Sequence, residues 1–273
     1  MASAVERRKE GKKKGAVGET TRFLLVLFAF TLFLRTFVIA PFMIPSGSML
    51  PGLAIGDYLF VAKWPYGFSR YAFPFGLASF GGRIWGGEPK RGDVVVFHYP
   101  GKDEDYVKRL IGFPGDRVQM RGGQLFLNDK PVSKVRVADY LMPLSPNSPC
   151  RTVGSYHPDE VTVNGERFCP YPQFRETLPE GRSYDVLDQT RAAADDTQVY
   201  TVPAGHYFVM GDNRDDSADS RFPRSELGVS FLPRDNLIGR PVVVFFSTDG
   251  SAEWLKPWTW FSALRWNRVG STF

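Results

Sequence analysis

Apolar positions along the chain follow two patterns that change over near residue 40. From residue 23 to 40 they run almost unbroken, interrupted by Thr31 and by Arg35-Thr36. At about 1.5 Å per residue these 18 residues make about 27 Å of helix, close to the roughly 30 Å of a bilayer core. Arg35 lies five residues from the end, where its side chain reaches headgroups rather than the bilayer centre. After residue 40 no long 3.6-residue period is found. Apolar residues instead alternate or form short β-branched runs at 58–62, 94–99, 106–111, 117–120, 124–127, 161–168, 206–210 and 242–246. Gly122-Gly123 and Asn164-Gly165 supply the positive-φ positions that hairpins need. The pattern predicts a mainly β chain: a single N-terminal transmembrane helix, then a β-barrel-like domain.

The texture changes again over 128–203, which is loaded with Pro, Asp and Arg and reads as an inserted smaller β subdomain. The expected division is a basic tail (1–22), an anchor (23–40), a main β domain (41–118 and 204–273) and the insert (119–203). Residues 64–87 combine many aromatics and glycines with no acidic residue. Such a loop suits a membrane interface or a cap over the barrel core. Trp254, Trp258, Trp260 and Trp266 raise the same question.

Composition narrows the class. With 27 Gly, 21 Pro and 15% aromatics in 273 residues, short strands and turns are favoured; a coiled coil and wholesale disorder are excluded. The net charge of +5 is concentrated at one end. Residues 1–22 hold seven basic and three acidic groups, and the other 251 hold 27 and 26, so a nucleic-acid-binding face is not expected. The basic tail keeps the N-terminus cytoplasmic and places everything after Ala40 across the membrane. A cleavable signal peptide competes, since Val38-Ile39-Ala40 offers a small-x-small end. Against it, the apolar core is longer than such peptides carry, and Pro41 would follow the cut.

Cys150 and Cys169 are the two cysteines, with eighteen residues between them. In an oxidising compartment such a pair forms a disulfide that stabilises by roughly 3 kcal/mol; two independent buried thiols are the alternative. No C-x-x-C spacing points to zinc. No other metal and no cofactor is expected. The acidic run from Asp212 to Asp219 departs from a calcium loop, with Ser217 at the sixth place and Pro223 at the twelfth. Arg91-Gly92-Asp93 reads as a turn into a strand. G-x-S-x-G, H-E-x-x-H and the phosphate loop are all missing, and His98, His157 and His206 are scattered.

Two features remain. Pro45-Ser46-Gly47-Ser48-Met49-Leu50-Pro51 is a bent segment able to expose a hydroxyl, or else a polar linker. Alternation along 105–116 puts Lys108 on the face of Tyr106 and Leu110, with Arg109 opposite. A lysine on an apolar strand face is desolvated, which lowers its pKa and makes it a usable base; a snorkelling surface lysine is the ordinary alternative.

These blocks together resemble bacterial type I signal peptidase. They are Ile44 through Pro51, Gly56-Asp57, Lys63, Arg91-Gly92-Asp93 with the valines that follow, Tyr106 through Asp116, and Gly211-Asp212-Asn213-Arg214-Asp215-Asp216-Ser217-Ala218-Asp219-Ser220-Arg221. The likeness spans the anchor and residues 42–240 in the family's order; the insert matches in placement alone. It implies a serine endopeptidase that removes signal peptides from exported pre-proteins, cutting after Ala-x-Ala. Ser48 is then the nucleophile, Lys108 the general base and Ser217 the group that orients the amine. Ser46 and the Ser48 N–H form the oxyanion hole, with Asp219, Arg221 and Arg109 in support. Phe42, Ile44, Met49, Leu53, Leu59, Val96, Tyr106 and Val107 fall where the family lines its shallow substrate pockets. The implied setting is the bacterial inner membrane, with the catalytic domain on the periplasmic side, in contact with lipid and near the secretion translocon. The single span and the wide cysteine spacing depart from several relatives. A self-cleaving SOS-type repressor shares the chemistry but needs an N-terminal helix-turn-helix and no span. A conjugation-type peptidase with one dedicated substrate and a non-enzymatic envelope β protein stay open.

Overall fold

The computed structural model describes residues 4–73, 79–253 and 255–273, with side chains from Gly18 onward. The basic side chains up to Lys14, residues 74–78 of the aromatic loop, and Trp254 lie outside the described residues. The apolar run forms α1 (Ala4–Phe33), continued by one π-type turn over Leu34–Val38. Among the described residues Gly18–Val38 is the one helical segment long and apolar enough to cross a membrane. The helix stops two residues before Ala40, because Ile39 and Ala40 pair with Ala62 and Val61 as strand. The Lys63 N–H also donates to the Val38 carbonyl at 3.3 Å.

The first strands are β1 (Ile39–Met43), β2 (Asp57–Ala62), β3 (Val94–His98) and β4 (Asp105–Gly112). The middle of the chain holds β5 (Arg117–Arg121), β6 (Gln124–Leu127), β7 (Lys130–Pro131), β8 (Ser133–Arg136) and β9 (Tyr140–Pro143). It continues with β10 (Val161–Val163), β11 (Glu166–Tyr171), β12 (Gln173–Thr177), β13 (Ser183–Leu187) and β14 (Tyr200–Thr201). The chain then returns as β15 (His206–Met210), β16 (Leu232–Pro233), β17 (Leu237–Ser247) and the short α2 (Trp258–Ser262).

Seven strands make the main sheet, in the order β1-β2-β17-β3-β4-β15-β16. Every neighbouring pair in it is antiparallel. The eleven-residue β17 spans β2 and β3, and register shifts along it bend the sheet, since each bulge adds local twist. Gly239 sits at that crossing, where a Cβ would lie 2.3 Å from the Ala62 carbonyl oxygen. The result is the expected mainly β, curled fold behind an N-terminal apolar helix. Three smaller sheets fill the middle of the chain: β14-β5-β6-β7, β10-β11-β9 and β13-β12-β8. The hairpins at Gly122-Gly123 and Asn164-Gly165 join β5 to β6 and β10 to β11, with all four residues at positive φ. Strand β5 straddles the boundary drawn between residues 118 and 119.

The core explains which strands are most apolar. In β3, Val94 and Val96 pack with Ile44, Met49, Leu53 and Leu59, while Val95 and Phe97 pack with Leu110, Tyr207 and Val209 on the other face. A third cluster, with Ile111, Val118, Leu125 and Phe208, joins the main sheet to the middle sheets. A fourth holds Leu50 and Ala54 against Met142, Cys169, Tyr171 and Leu187, and the Cys150–Cys169 disulfide (Cα–Cα 5.6 Å) closes over it. The aromatic loop divides between cap and surface. Tyr66, Phe68 and Ala72 are buried, and Phe68 and Phe73 meet the Phe37 ring edge-on at 5.3 and 5.7 Å; Trp64 and Trp85 are exposed.

Candidate active site

Ser48 lies in the turn between β1 and β2. Leu50 N–H closes the turn on the Gly47 carbonyl at 3.1 Å, and Leu53 N–H reaches the Met49 carbonyl at 2.9 Å. Asn213 grips this turn from across the sheet: its N–H donates to the Ser48 carbonyl and its Nδ2 to the Gly47 carbonyl, each at 3.1 Å. Lys108 comes from the middle of β4, opposite Val95, with its amine 5.8 Å from the Tyr106 ring centroid. Its Nζ donates to Ser48 Oγ at 2.7 Å, and the two residues are 4% and 9% exposed. Burial lowers the Lys108 pKa to about 8; Asp219, Asp212 and Asp216 pull it back up, while Arg221 adds to the lowering.

The segment from Gly211 to Arg221 forms the wall beside this pair. Gly211 is needed there because a Cβ would lie 2.1 Å from Ser217 Oγ and 2.6 Å from the Ser48 carbonyl oxygen. Asp219 is fully buried and accepts from Arg221 Nε and Nη2 at 2.9 Å each, and from the Gly211 N–H at 2.9 Å. These bonds hold its carboxyl below the ordinary range despite burial. Arg109 clamps Asp212 through two bonds of 2.7 and 2.6 Å and also reaches the Gly92 carbonyl at 2.7 Å. Arg214 forms a second buried two-pronged pair with Glu176 of β12, at 2.7 and 2.5 Å.

Asp212, Asp216 and Asp219 of this segment are therefore tied to arginines, while Asp215 accepts from the Gln189 and Thr190 N–H groups. A cluster of three carboxylates, Asp188, Asp195 and Asp215, does lie close together, but the Lys134 amine already contacts Asp188. Likewise Asp93 of the Arg-Gly-Asp sequence is buried against Arg182 and Tyr66 rather than displayed.

A groove of about 790 Å³ runs over Ser48 and Lys108. Phe42, Ile44, Met49, Tyr106 and Val107 line it, as do Ser46 and Ser217. Leu53, Leu59 and Val96, expected on its surface, are core residues that back Ile44 and Met49 from behind. Ser46 is exposed and reaches Ser48 Oγ at 3.5 Å, the limit of a hydrogen bond. Among the described residues Ser217 Oγ is buried without a hydrogen-bond partner, and the hydrogen bond of the Lys108 amine goes to Ser48. The residues that sequence reasoning passed over are Asn213, Glu176 and the Arg151–Asp216 pair. Asn213 was visible within its block, but nothing in the sequence signals that Glu176 or Arg151 faces it.

A mainly β chain with an apolar anchor helix, and a serine hydroxyl at the foot of a peptide-sized groove, has the make-up of a membrane-anchored serine hydrolase. Residues 17–246 match the family described as Signal peptidase, peptidase S26. The chain belongs to that family: it is a serine peptidase whose substrates are signal peptides. The Signal peptidase I of Rickettsia typhi is 35% identical over 229 residues, covering 80% of this chain and 75% of its own. That of Rickettsia massiliae is 33% identical over 286 residues, covering 96% and 94%. Among solved structures, a signal peptidase I from Enterococcus faecalis aligns with 56% of this chain and 97% of its own, at 23% identity and a TM-score of 0.30.

Proposed function

We propose that Ser48 and Lys108 act as a catalytic dyad that removes signal peptides from exported pre-proteins after an Ala-x-Ala pattern. The observation that carries this is the 2.7 Å contact between a buried amine and a buried hydroxyl at the foot of the groove. With a pKa of about 8, roughly a quarter of the amine is neutral at pH 7.5, against about one part in a thousand for an unshifted lysine. In the neutral form the contact reverses: the Ser48 O–H donates to the Nζ lone pair. The amine takes that proton as Oγ attacks the carbonyl carbon on the N-terminal side of the scissile bond. The resulting ammonium then hands its proton to the leaving amine. Water, deprotonated by the same lysine, hydrolyses the acyl-enzyme and frees the signal peptide.

The Ser48 N–H and the Ser46 hydroxyl are assigned to the oxyanion, at roughly 3–4 kcal/mol per donor. Ser217, the unpartnered hydroxyl in the same groove, is assigned to orient the lysine amine. Asp219–Arg221 and Arg109–Asp212 fix the wall that carries it. The apolar surface of Phe42, Ile44, Met49, Tyr106 and Val107, backed by Leu53, Leu59 and Val96, leaves room for side chains the size of alanine. On this reading the sheet from 41–118 and 204–273 does the chemistry, the insert 119–203 braces it, and the Cys150–Cys169 disulfide belongs to an oxidising compartment. The basic tail stays in the cytoplasm and the groove works on the periplasmic side, beside lipid and near the translocon.

Cleavage of a pre-protein bearing an Ala-x-Ala site, by detergent-solubilised wild type and Ser48→Ala in parallel, tests this reading. A cut after the last Ala by wild type alone is expected. A cut by Ser48→Ala would reject the nucleophile, and no cut by either would reject the substrate class.

A further inference from the structure

One ion pair in the groove wall stands apart from the Ser48–Lys108 contact itself. Arg151 Nη1 meets Asp216 Oδ2 at 3.0 Å, and both side chains line the catalytic groove. Asp216 lies against the nucleophile turn: a Cβ placed on Gly47 would be 3.8 Å from its Oδ2. Its charge is felt at Lys108, and Lys108 and Arg151 are the two cations felt at Asp216. Arg151 is fixed from behind. The disulfide ties the preceding residue, Cys150, to Cys169 of β11, and the Tyr171 hydroxyl accepts from the Arg151 N–H at 3.1 Å.

We propose that the Arg151–Asp216 ion pair sets the electrostatic balance in which Lys108 works, and that the Cys150–Cys169 disulfide serves to hold Arg151 in that pair. This rests on the Ser48–Lys108 reading and goes beyond it, because Arg151 touches neither the nucleophile nor the base. The other charges facing Lys108 are already committed: Asp219 to Arg221, and Asp212 to Arg109. Of the remaining carboxylates lining the groove, Asp215 accepts from the Gln189 and Thr190 N–H groups, and Asp105 pairs with His98. Glu104 and Glu226 also line it, yet neither they nor Asp105 and Asp215 are among the main charges felt at Lys108. Asp216 is therefore the one carboxylate felt there whose partner comes from the disulfide-closed loop. If Arg151 leaves, the Asp216 charge is uncompensated and favours the ammonium form of Lys108. If Asp216 is neutralised, the amine form gains.

The test is the pH dependence of kcat/KM from pH 6 to 10 for the full-length, detergent-solubilised chain on an Ala-x-Ala pre-protein. Wild type should rise with pH to a plateau, with its midpoint near the Lys108 pKa of about 8. Arg151→Gln should move that midpoint up by about half a unit to one unit, a roughly three- to tenfold loss at pH 7. Asp216→Asn should move it down, and the double variant should follow Asp216→Asn alone. Arg151→Lys should restore the wild-type midpoint. Replacing both cysteines with serine should shift the profile toward that of Arg151→Gln, and high salt should shrink the shift because Arg151 is half exposed. An unmoved midpoint in Arg151→Gln, or the same upward shift in the Asp216→Asn background, overturns the proposal while leaving the dyad intact. An active wild type with a flat profile overturns the lysine base and the proposal together.

Discussion

Lys108 is 4% exposed and gives up its proton near pH 8, whereas the unfolded chain holds that proton to about 10.4. Protonation therefore favours unfolding. The lysine costs no stability above about pH 10.4; the cost grows as pH falls toward 8 and levels off at about 3 kcal/mol. Lys108→Met should be inactive and yet unfold at a higher urea concentration than wild type at pH 7, with the advantage fading by pH 10. Urea titrations at the two pH values check this, and a lower midpoint for the variant at pH 7 would mean that the amine's contacts outweigh its desolvation. Gly211 presents the opposite case, a residue whose value is its missing side chain. A Cβ there would push on both Ser217 Oγ and the Ser48 carbonyl. Gly211→Ala should lower kcat on the order of a hundredfold through displacement of about an ångström, with the circular dichroism spectrum unchanged; full activity would show that the turn has slack.

The elements that hold the site differ in how they are secured. The turn after Ser48 is braced from the far end of the chain. The buried Asp57 accepts from the Ala54 N–H at 2.8 Å and from Arg268 at 2.6 Å, and Arg268 also reaches the Gly52 carbonyl. The wall from Gly211 to Arg221 is pinned to the insert by Arg214 and Glu176, both nearly inaccessible. Arg214→Met would strand the Glu176 charge in the core and should cost about 3–5 kcal/mol, read as an earlier urea midpoint. The paired change Arg214→Met with Glu176→Leu should recover most of that loss. Strand β3 was legible because both faces are buried, and β4 and β15 because their apolar residues alternate or run together. Strands β8 and β12 were not: they carry the exposed Arg136 and Arg175 and the buried Glu176, whose charge is met by Arg214 from 38 residues away. Strand β1 was not legible: Ile39 and Ala40 continue the apolar run of the span, and Pro41 is tolerated in a strand only because β1 lies at the sheet's edge. In the site, Ser48 and Lys108 stood out through their local settings, one between prolines and one on an apolar strand face. The grip of Asn213 and the Arg151–Asp216 pair exist only once the chain is folded.

At the scale of the molecule, charge and apolarity are separated along the chain: the basic groups come first, then the span, then a nearly neutral β body. On the proposed topology, with the tail cytoplasmic, protease added outside spheroplasts should degrade the body and leave a short protected N-terminal fragment. Full protection of the body would reverse the proposed topology. The joint between span and sheet matters as much as either part. The helix ends at Val38, Ile39 is already paired with Ala62, and the Lys63 N–H closes on Val38, so no flexible spacer intervenes. On a loose tether Ser48 would sweep a volume of solvent; on the proposed anchoring this joint carries it at a single altitude above the bilayer. On that proposed reading the enzyme works as a depth gauge as well as a reader of side chains. The same reading has a small-x-small sequence farther along a secreted chain passed over because, while the substrate is still anchored, it would never come to rest at that height.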